Sequence, residues 1–243
     1  MNSTIDPNAL TQTAESMRSA LAGYTELVQR MAGDNLAGLT VFGAVLLPEY
    51  DPSRSAAASV LVLNKIDLKL LHNLAEQGAA FGRDHIRAPL VMTPDYINAS
   101  LDTFPLEFLE IQQRHATLIG RNFFDDLAFE PDHMRLQCER EFKRILIQLR
   151  QGLLAAAGRE KLLGELEAAV GDELIRTLRG LLWLKGRKEP LPRPEVLAEG
   201  EKLVDGSLSG LRTAIQQYGE HGWAEFTGLY EDVEKLAKVA DEL

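Results

Sequence analysis

Two pairs of carboxylates have a spacing that could do chemistry: Glu49 with Asp51, and Glu107 with Glu110. Mg²⁺ is a hard cation and needs charged oxygen ligands, so acids of this kind are where a metal-assisted transfer reaction would begin. For that reaction Glu49, Asp51, Glu107 or Glu110 would have to converge on one cleft. Read on their own, Glu49 and Asp51 flank a turn after Pro48, where acids are ordinarily solvated. Glu107 and Glu110 lie in FPLEFLEIQ, residues 104–112, a mixture of large apolar residues and acids that reads as a half-buried strand. The five histidines (His72, His85, His115, His133 and His221) form no H-x-x-x-H or H-E-x-x-H pattern, so no zinc site is indicated. Cys138 is the sole cysteine, which excludes an intramolecular disulfide and a cysteine metal cluster. A basic run from Arg176 to Arg193 reads as a solvated helix face and its following loop.

The elements that must position these residues fall into two parts. Up to about residue 130, helical and strand signals alternate. Met17, Leu21, Tyr24, Leu27, Val28 and Met31 recur at helical spacing over 11–32, and Gly33-Asp34-Asn35 stops that helix. An apolar run then ends at Phe42-Gly43, a polar turn follows, and Val60–Leu63 is a second apolar run, giving strand, turn and strand over 39–63. Asp67 is placed to cap a helix through Ala75. A short strand is expected at 86–92 and a short strand or turn at 116–120, with Thr93-Pro94 opening a short helix between them. Past Pro131 the strand signals vanish. Long helices are expected over about 134–153 and 160–185, then over 194–204, 207–218 and 223–240, joined by short loops as in an antiparallel bundle.

The formal net charge is −10 over 243 residues, and Lys plus Arg number 26 against 36 acids. That balance argues against general nucleic-acid binding, which needs a basic face to displace phosphate counterions. The opening residues lack the basic start and apolar core of a signal peptide. No apolar run approaches the roughly 20 residues needed to span a bilayer. The expected location is therefore the cytoplasm, with no membrane partner.

The order helix, strand ending Phe42-Gly43, polar loop, second strand, later strands and helical bundle resembles the nucleotidyltransferase superfamily. That superfamily includes kanamycin nucleotidyltransferase and the polymerase-beta-type enzymes. In it the first strand ends Phe-Gly-Ser, the second begins with Asp-x-Asp, and a third carboxylate lies on a later strand. The resemblance implies an α+β fold: a nucleotidyltransferase-like mixed sheet with helices over 11–130, then an antiparallel helical bundle over 131–243. It implies that Gly43 lets the backbone approach a triphosphate, and that Mg²⁺ is held by the aspartates.

This chain departs from that pattern at the chemical positions. Ala44 stands where the family has Ser. Aligning Val60–Leu63 with the family's second strand puts Ala57 and Ser59 at the aspartate positions, and no acid occurs anywhere in Ser55–Ser59. Glu107 or Glu110 would be the remnant of the third carboxylate. The expectation is a non-catalytic nucleotidyltransferase-like protein, without a cofactor, acting as an interaction or ligand-sensing module. A homodimer or protein partner and a nucleotide ligand are its expected partners. The alternative is an active enzyme whose relocated acids, Glu49, Asp51, Glu107 and Glu110, hold Mg²⁺ and transfer a nucleotide to a small molecule or protein.

Overall fold

A computed structural model describes residues 5–48, 50–53, 55–216 and 222–243. Glu49 and His221 lie outside the described residues. The described chain forms two compact units: residues 1–101 with 107–128, and residues 102–106 with 129–243. The class is α+β.

The first unit is built on a four-stranded sheet. Its strands are β1 (Leu36–Phe42), β2 (Ala58–Leu63), β3 (Leu90–Met92) and β4 (His115–Gly120), in the order β3-β2-β1-β4. β1 is antiparallel to both β2 and β4, whereas β2 and β3 are parallel, so the sheet is mixed. β1 and β2 are apolar almost throughout because both of their faces are covered. The helical pattern over 11–32 is broken into α1 (Pro7–Gln12) and α2 (Arg18–Ala32). Thr13 turns its hydroxyl back to Leu10 O, and the Ala14 amide donates to Val45 O at 2.8 Å, a tertiary bond that a continuous helix could not make. α2 then lays Leu21, Tyr24 and Val28 on the sheet against Leu39, Val41, Leu61 and Leu63. Asp67 accepts from the amides of Lys69 and Leu70, and so starts α3 (Leu68–Ala75). α4 (Gly78–Arg83) brings Phe81 edge-on to Tyr24, with ring centroids 5.1 Å apart. Thr93 caps α5 (Pro94–Ala99) as its sequence suggests.

One element is of the other type. Residues 104–112 are not a strand: Pro105–Gln113 is helix α6. Pro105 is at its first position, where a missing amide costs nothing. The apolar residues pair three apart, Leu106 with Leu109 and Phe108 with Ile111, as on a helix. Glu107 and Glu110 are thus three apart on a helix, both half-buried.

The second unit is helical: α7 (Pro131–Ala156), α8 (Glu160–Leu184), α9 (Arg193–Leu203), α10 (Ser209–Gln216) and α11 (Trp223–Asp241). Cys138 is in its core, as expected, and burial pushes its thiol up to about 12. Gly171 lies within the continuous helix α8, where its missing side chain admits Ala214 and Ile215 of α10. Gly210 of α10 rests on the backbone of α11, where a Cβ would come within 2.2 Å of Gly228 C and Leu229 N. The basic run is largely paired within its own unit. Arg193 meets Asp172 at 2.7 Å, Arg187 meets Glu199 at 3.4 Å, and Lys188 lies over the Trp183 ring. No helix among the described residues is long and apolar enough to cross a membrane.

Candidate functional site

The place where the sequence points to phosphate chemistry is the end of the β1–β2 hairpin. β1 ends at Phe42, and Gly43 follows with φ +77°, a left-handed conformation that favours glycine. A Cβ there would meet nothing within 4 Å, so glycine is required for its backbone angle and not for space. The chain then tightens into a 3₁₀ turn over Gly43–Leu46. The Gly43 amide does not point free into the turn; it donates to Arg114 O at 2.9 Å and ties β1 to the start of β4. Ala44 is exposed and carries no hydroxyl.

The strand register decides what this end of the sheet can present. Val41 lies opposite Ser59, and Phe42 lies opposite both Ala58 and His115. Residues opposed in this way share a face. Ala57 and Ser59 therefore point to the α2 side, each 2 % exposed and packed with Leu61 and Leu63. The Ser59 hydroxyl is 3.1 Å from the Tyr24 hydroxyl. Burial pushes the Tyr24 phenol up to about 12, partly offset by the bond with Ser59. The two positions matched to the aspartate pair face the covered core and not the accessible end of the sheet. A one-residue shift would put Ala58 in the accessible position, beside Phe42. Neither register supplies an acid.

The other predicted acids stand elsewhere. Asp51 is exposed, and its Oδ1 accepts from Ser53 N at 2.9 Å and Ser53 Oγ at 2.7 Å, closing a local turn. Glu107 and Glu110 are on α6. The later strands, LVM in β3 and HATLIG in β4, hold no carboxylate. Among the described residues no three His, Cys, Asp or Glu side chains are grouped to hold a metal ion. Among the described residues the donor set Mg²⁺ needs is not assembled, so these residues do not fit that cofactor.

The site that sequence reasoning missed is His115, at the start of β4. Its side chain is 7 % exposed. Nδ1 faces two carbonyls, Ile111 O at 3.0 Å and Gln112 O at 3.1 Å, which can only accept, so Nδ1 carries a proton. Nε2 lies 3.0 Å from Asn122 Nδ2 and 3.1 Å from Asp125 Oδ1. With Nδ1 the donor, Nε2 is the ring's acceptor and takes the Asn122 amide. Phe124 packs edge-on against the imidazole at 5.8 Å. Residues 115, 122 and 125 follow no local motif. The signal becomes visible only once β4 is known to pair with β1.

Comparison with known proteins gives a likeness of structure. No family model and no curated protein matches the chain. The structure is similar to the crystal structure of spectinomycin adenyltransferase AAD(9) from Enterococcus faecialis, solved with ATP and spectinomycin. The TM-score is 0.58 at 9 % sequence identity, over 92 % of this chain and 98 % of that chain. The chain has a nucleotidyltransferase fold. The likeness spans both units of the fold, and at this identity it speaks for architecture alone. In a nucleotidyltransferase fold, the Tyr24–Ser59 contact occupies a strand position that the sequence pattern matches to an aspartate.

Proposed function

We propose that this chain is a nucleotidyltransferase-like protein that does not transfer nucleotides and uses its fold as an interaction or ligand-sensing module. The observation that carries the reading is the sheet itself: β1, β2, β3 and β4 contain no Asp or Glu. Mg²⁺-assisted phosphoryl transfer depends on anchored carboxylates, because positioning and charge neutralisation supply most of its rate. The commitment of the Gly43 amide to Arg114 O also supports it, since that amide is not available to a phosphate in this arrangement. Its domains are placed at 11–130 and 131–243. Its setting is the cytoplasm, and its helical part is the surface for a homodimer or a protein partner. A nucleotide is the first ligand to test, because the structural neighbour was solved with ATP.

A thermal-shift series with ATP, GTP, CTP and UTP, each with and without Mg²⁺, tests the reading. Stabilisation by a nucleotide without Mg²⁺ is the signature of a sensor, and no shift with any nucleotide directs the search to protein partners. Mg²⁺-dependent stabilisation would contradict the proposal and favour an enzyme built on Glu49, Asp51, Glu107 and Glu110.

A further inference from the structure

β4 is the last strand of the sheet, and the chain before α1 closes on it: Asp6 N donates to Leu118 O at 2.8 Å. Beside β4 is a cavity of about 410 Å³ whose polar lining includes Asp6, Gln12, His115, Asn122 and Asp125. That volume falls within the roughly 300–1,000 Å³ of small-molecule sites. We propose that this cavity is a binding site for a small organic cation, an alkylammonium or guanidinium group. The proposal goes beyond the reading of the hairpin and holds whatever binds at Gly43.

Charge is the first argument. Asp6 and Asp125 line the cavity, and among the described residues no Lys or Arg does. Carboxylates in a concave site focus a negative potential, which repels phosphates and draws cations. Hydrogen-bonding capacity is the second. The Asp6 Oδ1 accepts from Asn8 N, and the Asp125 Oδ1 lies against His115 Nε2, so each carboxylate keeps a second oxygen to accept from an N–H donor. The His115 Nδ1 proton is held by the α6 carbonyls, and Nε2 is met by the Asn122 amide and Asp125, so the ring is fixed at both nitrogens. Asn122 is fixed at both ends, since its Oδ1 accepts from Phe124 N while its Nδ2 meets His115. A buried, doubly anchored imidazole makes the floor of the cavity rigid before a ligand arrives, which lowers the entropic cost of binding. Ala9 and Ile119 supply an apolar wall for a short carbon chain. A metal ion is a poorer fit, because no third metal-binding side chain joins His115 and Asp125 among the described residues.

The test uses the full chain with isotope-labelled histidine, titrated with propylammonium, with methylguanidinium and, as an anionic control, with propionate. The His115 ring resonances are followed by NMR, and affinity is taken from calorimetry. The expected result is a saturable shift of His115 with one or both cations, at a Kd of about 1 mM or tighter, and none with propionate. Asp125→Asn and Asp6→Asn should each weaken binding about tenfold, the value of one charge-assisted hydrogen bond. Asp125 is exposed, and Asn still caps α1 at position 6, so both variants keep the fold. A blocked lysine tripeptide in a parallel titration separates the two sources of such a cation. Tighter binding than propylammonium assigns the site to a partner's lysine side chain, and weaker binding assigns it to a free amine. No saturable shift of His115, or unchanged affinity when both carboxylates are replaced, overturns the proposal.

Discussion

The two units bury polar groups in different ways. Apart from the His115 imidazole, the buried polar side chains of the sheet unit among the described residues are neutral hydroxyls: Thr13, Thr25, Thr40, Ser59 and Ser100. Thr13 and Thr25 return to carbonyls of their own turn or helix, Thr40 meets Thr117 at 2.8 Å, and Ser59 meets Tyr24. In the helical unit the buried set includes the carboxylates Glu167 and Asp232 and the amide of Gln137. Two of these act as caps supplied from a distance. Asp232 Oδ2 accepts from Leu211 N at 3.1 Å near the start of α10, while Oδ1 accepts from Lys235 Nζ at 2.9 Å. Gln137 Oε1 accepts from Leu106 N at 2.8 Å at the start of α6. A carboxylate tolerates burial when helix amides and an ammonium meet it. The core face of β2 offers neither, only a phenol and apolar side chains, so a small neutral residue is what that environment accepts.

The contrast can be broken or sharpened by substitution. The largest effect is expected for Ser59→Asp, which forces a carboxylate against Tyr24 and should cost about 3–5 kcal/mol in urea unfolding. Ala58→Asp, one residue along and half-buried, should cost about 1 kcal/mol. Equal costs at the two positions would show that the faces of β2 are not different environments. Asp232→Ala comes next, with a loss of about 2 kcal/mol, because it leaves the Leu211 amide buried without its acceptor. An Asn at the same position should recover roughly half of that loss by restoring the amide contact. Tyr24→Phe should cost about 1 kcal/mol at neutral pH, through the Ser59 hydroxyl it leaves unpaired.

The same tyrosine makes an alkaline prediction. Its folded value of about 12 lies above the ordinary 10, so the folded chain holds this proton more tightly than the unfolded chain. The associated stability is complete below pH 10 and is lost as pH rises through about 12. Unfolding curves of the wild type should show that fall, and Tyr24→Phe should show less of it.

Much of the architecture was legible in the sequence. The β1–β2 hairpin, the Asp67 and Thr93 caps and the five helices of the second unit all carried local signals, namely periodicity, cap residues and Pro or Gly at the ends. Residues 104–112 were misread because Phe104 and the two acids mimic alternation. Pro105 and the three-residue spacing of the apolar positions were the better guide. The break at Thr13 was not legible, since it depends on the Val45 carbonyl, which is far away in sequence. The absence of acids from Ser55–Ser59 was plain, but the face those residues present was not. A strand of continuous apolar residues has no alternation to mark its covered side, and α2 decides it by placing Tyr24 over Ser59. The His115 cluster was invisible for a related reason. Its partners are held by a loop whose path only the β1–β4 pairing defines.

The most direct test of the central claim is calorimetric titration of ATP into the protein at increasing Mg²⁺, beside a variant in which Glu49, Asp51, Glu107 and Glu110 are all replaced by their amides. The account predicts that any heat of ATP binding is independent of Mg²⁺ and the same in both proteins. Binding that strengthens with Mg²⁺ in the wild type and is lost in the variant would contradict it, and would make those four acids a working metal site.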